Sequence, residues 1–296
     1  MELVLSISIA GLAGLAFGSF LNVCASRWPD ERSAARPRSY CEGCERTLSW
    51  WENIPVLSWL ALRGRCRTCG AAIGVRHLIV ELAVGALWAL TAWQTLSLSP
   101  DKSYASLSHV ELLNGIAQLI FLWLLVGLAA IDWENLWLPD RLIVPGIVLG
   151  FVLNVGRACI ESYYLNGDFA EWKHRTGTAG AFWFLGVVIP AALVMIVRFL
   201  YSVIRDEEGM GMGDVKLMAM LGGWLGAKVA LLAFGIGVLG AAAYALSLLA
   251  NPALRGNKEA WVKKAVPFGT FLCLGGIVSG LCGQPIVEAY ARWAGF

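Results

Sequence analysis

The chain has 296 residues, 58% of them hydrophobic and only 15% charged, with a formal net charge of +2 and a mean hydropathy of +0.65. Soluble domains carry about 25% charged residues, so this composition excludes a water-soluble globular protein and requires a bilayer as solvent. Lys and Arg fall between apolar runs with no long block of like charge, which gives no footing for nucleic-acid binding.

The first apolar run, residues 3–25, follows Met1-Glu2-Leu3 with no basic segment ahead of it. It is long enough to span and reads as a retained helix, not a cleaved signal peptide. Further runs of bilayer length lie near 78–98, 111–131, 141–160, 178–200, 215–227, 229–250 and 267–290. The run at 215–227 is short and glycine-rich through Leu221-Gly222-Gly223. Seven and eight spans both accommodate it, and eight is preferred because a short helix can sit inside a bundle away from lipid. The expected fold is all-α: a polytopic membrane helical bundle of about eight transmembrane helices with a four-cysteine cytoplasmic loop domain. The 14 Trp residues suit the headgroup region of such a protein.

With eight spans and an outside N-terminus, the inside loops collect most of the basic residues, nine of the 23 between residues 27 and 76 alone. Lys102 falls in an outside loop, and the basic segment 251–264 in an inside one. The positive-inside rule then places the long first loop, Asp132 and Asp214 on the cytoplasmic side. The chain divides into an N-terminal part, 1–105, with the cysteine loop at 27–76, and a helical bundle, 106–296, with the two aspartates.

Four of the eight cysteines form Cys41-x-x-Cys44 and Cys66-x-x-Cys69, with 21 residues between the pairs. Two such pairs close a tetrahedral four-thiolate shell, and zinc is the metal expected in it. A cytoplasmic loop stays reduced, which favours metal over two disulfides. Four cysteine ligands leave no open position for water, so the site is structural. Arg63, Arg65 and Arg67 flank the second pair and favour thiolate. Cys24, Cys159, Cys273 and Cys282 lie in or beside spans and read as packing residues.

Asp132 ends the third run in Ile131-Asp132-Trp133-Glu134-Asn135-Leu136-Trp137-Leu138-Pro139-Asp140. Pro139 favours extended backbone before it, so the next helix starts near Asp140, which is suited to cap it. Asp214 follows Gly209-Met210-Gly211-Met212-Gly213, directly ahead of the short run. Carboxylates at membrane depth are costly and face a cavity or a partner. Two of them brought together share a proton, so that one serves as base on a water and the other as acid toward a carbonyl. Taken alone, either aspartate reads more readily as a helix-end residue than as a catalyst. The three histidines are scattered, and there is no His-Glu-x-x-His pair, Gly-x-Ser-x-Gly elbow or phosphate loop.

The order of the parts decides between these readings. Gly18-Ser19-Phe20-Leu21-Asn22 with Arg27-x-Pro29 closes the first helix, and the paired cysteines bracket Asn53-Ile54-Pro55 and Arg63-Gly64-Arg65-Cys66. The Asp132…Leu138-Pro139-Asp140 segment, Gly211-Met212-Gly213-Asp214-Val215-Lys216 and Pro267-Phe268-Gly269-x-Phe271 follow. Over roughly residues 10–275 this series resembles the type IV prepilin peptidases, bifunctional leader peptidase/N-methyltransferases of type IV pilus and type II secretion systems.

The resemblance implies GxGD-type aspartic cleavage of a short basic leader after a glycine in prepilins and pseudopilins, at the cytoplasmic face of the bacterial inner membrane. It also implies methylation of the new N-terminal residue with S-adenosylmethionine. It matches Asp132 and Asp214 to the catalytic aspartates and Asp140 to a non-catalytic acid. The cysteine loop matches the methyl-transfer region, with Gly64 a candidate in its cofactor site. Two positions depart from the pattern: Thr270 replaces a common second proline, and His77-Leu78 replaces a Tyr-Pro step before Glu81. The alternatives are a peptidase whose zinc loop is only structural, and a proton-coupled transporter with the aspartates as a relay.

Overall fold

A computed structural model describes residues 2–97, 107–164, 169–206, 210–250 and 266–295. Lys102, Gly209, the boundary expected at residue 105 and the basic segment 251–264 lie outside the described residues. The chain forms two compact units, Met1–Ala130 and Ile131–Phe296. Among the described residues there is no β-strand, and long helices carry both units.

In the first unit, α1 (Glu2–Arg27) packs along α3 (Val75–Ser97). Small residues set that approach: a Cβ at Gly14 would meet the Val84 carbonyl oxygen at 2.8 Å. The first part of α4 (His109–Asn135) completes the unit. It is tied in by Trp88 Nε1, which donates to the Leu119 carbonyl at 3.1 Å, and by Trp123 Nε1, which donates to that of Phe17 at 3.2 Å. Between α1 and α3 runs the cysteine loop, with a 3-10 turn at Trp50–Asn53 and the short α2 (Leu57–Ala61).

The second unit holds the end of α4, from Ile131, then α5 (Asp140–Tyr164), α6 (Phe169–Arg205), α7 (Met212–Leu225), α8 (Ala227–Ala250) and α9 (Phe268–Ala294). Helix α5 begins where Pro139 predicts, with the Ile143 N–H donating to the Pro139 carbonyl at 3.2 Å. The Asp140 side chain does not cap it. Lys216 Nζ donates to both its carboxylate oxygens at 2.8 Å.

Among the described residues seven helices, α1, α3, α4, α5, α6, α8 and α9, are long and apolar enough to cross a membrane. Large apolar side chains such as Phe182 (74% exposed), Ile204 (76%) and Leu239 (72%) face outward, as a lipid solvent demands. The run expected at 215–227 is α7, whose 14 residues reach only about 21 Å, short of the roughly 30 Å hydrocarbon core. It is packed by α5, α6, α8 and α9, and every residue from Asp214 to Gly223 except Lys216 is buried. At Gly186 and Gly222, α6 and α7 touch backbone to backbone, and a Cβ on either glycine would collide with the other's carbonyl oxygen. Trp224 Nε1 donates to the Gly146 carbonyl at 2.7 Å, and Asn154 Nδ2 to that of Gly223 at 3.1 Å, fixing α7 against α5. Of the cysteines expected to pack, Cys24 and Cys273 are fully buried, whereas Cys282 is exposed on α9.

Candidate functional site

Both aspartates lie in the second unit, Asp214 in the first turn of α7 and Asp132 in the last turn of α4. Asp214 is the third residue of α7 and folds back so that its Oδ2 accepts the Gly211 N–H at 3.2 Å, as the acid of a capping box does. Asp132, near the end of α4, is held from across the unit. Its Oδ2 accepts the Thr270 N–H at 2.6 Å and the Thr270 hydroxyl at 3.0 Å. Thr270 is the third residue of α9, where backbone N–H groups have no partner within the helix and a carboxylate is favoured. Asp132 is 5% and Asp214 8% exposed, both unusually buried for carboxylates.

Leu138 links the two positions. A Cβ at Gly213, beside Asp214, would meet the Leu138 Cβ at 3.0 Å, and one at Gly269 would meet Leu138 Cδ1 at 2.9 Å and the Asp132 Oδ2 at 3.0 Å. The two carboxyl groups lie close enough to influence each other electrostatically, and both influence the fully buried Cys273. Asp140, by contrast, is exposed and paired with Lys216.

In the first unit the four loop sulfurs, of Cys41, Cys44, Cys66 and Cys69, all lie within 4.8 Å of one another. Those of Cys41 and Cys69 are 3.7 Å apart, against about 3.8 Å for tetrahedral ligands with Zn–S bonds of about 2.3 Å. The two Cys-x-x-Cys turns repeat one design. The Cys41 N–H donates to Arg46 O and the Glu45 N–H to Cys41 O, and the Cys66 N–H donates to Ala71 O and the Gly70 N–H to Cys66 O. The fourth residue after each first cysteine, Glu45 (φ 53°) or Gly70 (φ 70°), takes positive φ to close the turn. The N–H groups of Cys69 and Thr68, aimed at the Cys66 sulfur, hold its thiol down at about 6. The flanking arginines do not supply that effect: Arg67 stacks over the Trp51 ring, 5.4 Å from its centroid.

Behind the metal-ligand turns, Arg46 grips buried Glu52 with two hydrogen bonds, 2.7 and 3.0 Å. That pairing, with the Ser49 N–H, holds the Glu52 carboxyl down at about 2. Arg27, 5% exposed, gathers the carbonyls of Ser33, Ala34, Pro37 and Arg38. Gly64 (φ +65°) lies against Trp59, where a Cβ would meet the indole at 2.8 Å, and Trp59 Nε1 donates to the Ile73 carbonyl at 3.1 Å. Between α1, α3 and this loop opens a cavity of about 280 Å³, with Asn22, Glu52, Trp59 and Glu81 in its wall.

Sequence reasoning missed three of these features: the Thr270 donors, the Asn22–Glu81 wall and a strained turn at Val56. The turn has φ 61° at a β-branched residue, and its Leu57 N–H donates to Pro55 O at 2.5 Å, a γ-turn of the rare kind. Glu81 Oε2 accepts the Val56 N–H at 2.7 Å and holds it. The only sequence signal was a proline ahead of Val56 and a lone acid inside an apolar helix.

Two family models match the chain: the bacterial peptidase A24 N-terminal domain over residues 12–95 and the type IV leader peptidase family over residues 119–246. Curated relatives named prepilin leader peptidase/N-methyltransferase match nearly end to end. That of Stutzerimonas stutzeri is 33% identical over 95% of this chain and 92% of its own. That of Dichelobacter nodosus is 32% identical over 98% and 96%, and that of Pseudomonas aeruginosa 31% over 96% and 93%. No solved structure matches significantly. The chain belongs to the type IV leader peptidase family. It is a multi-pass membrane enzyme, a peptidase and methyltransferase, and that membership sets the transporter alternative aside.

Proposed function

We propose that the second unit cleaves the short basic leader of prepilins or pseudopilins after a glycine, with Asp132 and Asp214 as the catalytic pair. The observation that carries this reading is the burial of two carboxyl groups that influence each other electrostatically, each held through Oδ2 at a helix start. Such a pair shares a proton: one carboxylate draws a proton from the attacking water while the other, protonated, donates to the scissile carbonyl oxygen. The exchange of roles as the amine leaves returns the pair to its starting state. Asp140, exposed and neutralised by Lys216, is assigned no part in it.

The first unit is assigned to methyl transfer onto the new N-terminal residue. S-adenosylmethionine, when bound, supplies an electrophilic methyl group. The four-thiolate set fits a structural zinc ion in ligand type, spacing and reduced state, and Cys41, Cys44, Cys66 and Cys69 would hold it. The basic loops favour the cytoplasmic face of the bacterial inner membrane for both reactions. Incubation of the purified protein with a prepilin, with and without S-adenosylmethionine, tests the pair of activities. Leader loss in both tubes, and one added methyl group on the mature N-terminus only with the donor, is expected. Leader loss with no methyl group in either tube would favour a peptidase whose cysteine loop is only structural.

A further inference from the structure

We infer that the cavity between α1, α3 and the cysteine loop is the methyl-donor pocket, with Asn22 and Glu81 as its polar floor. This rests on the reading of the first unit as the methyl-transfer module. The cavity, about 280 Å³, is of the order of small-molecule sites.

Its lining sets three carboxyl groups, Glu42, Glu52 and Glu81, against two guanidinium groups, Arg27 and Arg32. Asn22 is 4% exposed, its Nδ2 donates to the His77 carbonyl at 3.0 Å, and its Oδ1 is buried with no hydrogen-bond partner. A buried acceptor left unmade costs about 1–3 kcal/mol, and a ligand donor is the natural remedy. Glu81, 7% exposed, brings a carboxylate to the same cavity. Its Oε2 is occupied by the Val56 N–H. Among the described residues no ion pair joins Glu81 to a cation: Arg27 in the same lining is taken up by the carbonyls of Ser33, Ala34, Pro37 and Arg38, and Arg32 by Asp30, so a positively charged, donor-bearing ligand complements Glu81. S-adenosylmethionine is such a ligand, with a sulfonium cation, an ammonium group and a ribose diol. Trp59 supplies an aromatic wall against which an adenine ring fits.

The pocket also gives Gly64 a role. It is not in the cavity wall but behind Trp59, and only a residue without Cβ lets the indole stand where it does. Gly64 is thus a positioning residue that acts through Trp59. The strained turn at Val56 has the same logic, since Glu81 both holds that turn and faces the cavity.

Equilibrium binding to the full-length protein in nanodiscs tests the assignment. S-adenosylmethionine and S-adenosylhomocysteine, a zwitterion that lacks only the sulfonium charge and its methyl group, are titrated calorimetrically against wild type, Glu81→Gln and Asn22→Leu. Glu81→Gln keeps an acceptor for the Val56 N–H but removes the charge. It should weaken the sulfonium ligand by about tenfold and the sulfonium-free one much less. Equal affinities in all three proteins would overturn the pocket while leaving methyl transfer standing. No donor binding by wild type would overturn both readings. A measurement free of variants is ultraviolet cross-linking of methyl-tritiated donor to wild type. Label confined to peptides within residues 19–81 is expected, and label within 131–296 would contradict the assignment.

Discussion

Thr270 donates both its backbone N–H and its hydroxyl to one oxygen of Asp132, at 2.6 and 3.0 Å, across 138 residues of chain. A proline at this position could offer neither hydrogen bond. The carboxyl group is therefore oriented here by a residue that departs from the pattern the chain otherwise resembles. Thr270→Val, which removes the hydroxyl and keeps the shape, should lower kcat/KM for leader cleavage about fivefold to tenfold, the scale of one charge-assisted hydrogen bond. Thr270→Ser retains both donors and should stay within about twofold of wild type. A steady-state comparison of the three proteins checks the pair.

Gly269 lies just as close. A Cβ there would come within 3.0 Å of the Asp132 carboxyl and 2.9 Å of Leu138. Gly269→Ala should displace the carboxyl and cut leader cleavage more than about tenfold, with a stability loss of about 1–3 kcal/mol. Thermal unfolding measured beside activity separates the two effects, because Gly177, which a Cβ would leave in open space, should tolerate alanine with neither.

The four thiolates make a definite claim about metal. One zinc per chain is expected in the purified protein, and Cys41→Ser or Cys66→Ser should remove it. Without it the loop's two turns lose their common tie, and limited proteolysis should cut within residues 28–74 faster than in wild type. Metal analysis beside the digestion time course checks both halves.

The Arg46–Glu52 pair gives the loop an acid limit. The Glu52 carboxyl is held at about 2, below its ordinary value of 4.5. Its ionised form is therefore preferred in the folded loop, and the contribution is fully present above about pH 4.5. As pH falls from there toward 2, that contribution is lost. Glu52→Gln should be less stable than wild type at neutral pH, and the difference should shrink over this window. Unfolding curves of both proteins between pH 7 and 3 provide the measurement.

Much of the architecture was legible in the sequence because lipid imposes a simple code. The apolar runs at 3–25, 78–98, 111–131 and 141–160 became Glu2–Arg27, Val75–Ser97, His109–Asn135 and Asp140–Tyr164. The run at 178–200 was read too short, since α6 extends over Phe169–Arg205. Its first turns carry Glu171, Lys173, His174 and Arg175, whose polarity ends a hydropathy window but not a helix. The paired cysteines were legible because ligand spacing is local. The partners of Asp132, Asn22 and Glu81 were not, since each hydrogen bond joins residues far apart in sequence. Thr270 in particular read as a lost proline, when its gain is an N–H that proline lacks.

The most direct test of the account replaces each central aspartate by asparagine, which keeps shape and removes the titrating proton. Asp132→Asn and Asp214→Asn, each purified in membrane-inserted form, are mixed with prepilin and followed by mass spectrometry for loss of the leader. Each single variant should leave the leader uncut, while Asp140→Asn, at the exposed Lys216 pair, should still release it. Leader release by either Asp132→Asn or Asp214→Asn at near wild-type rate would contradict the two-carboxylate mechanism.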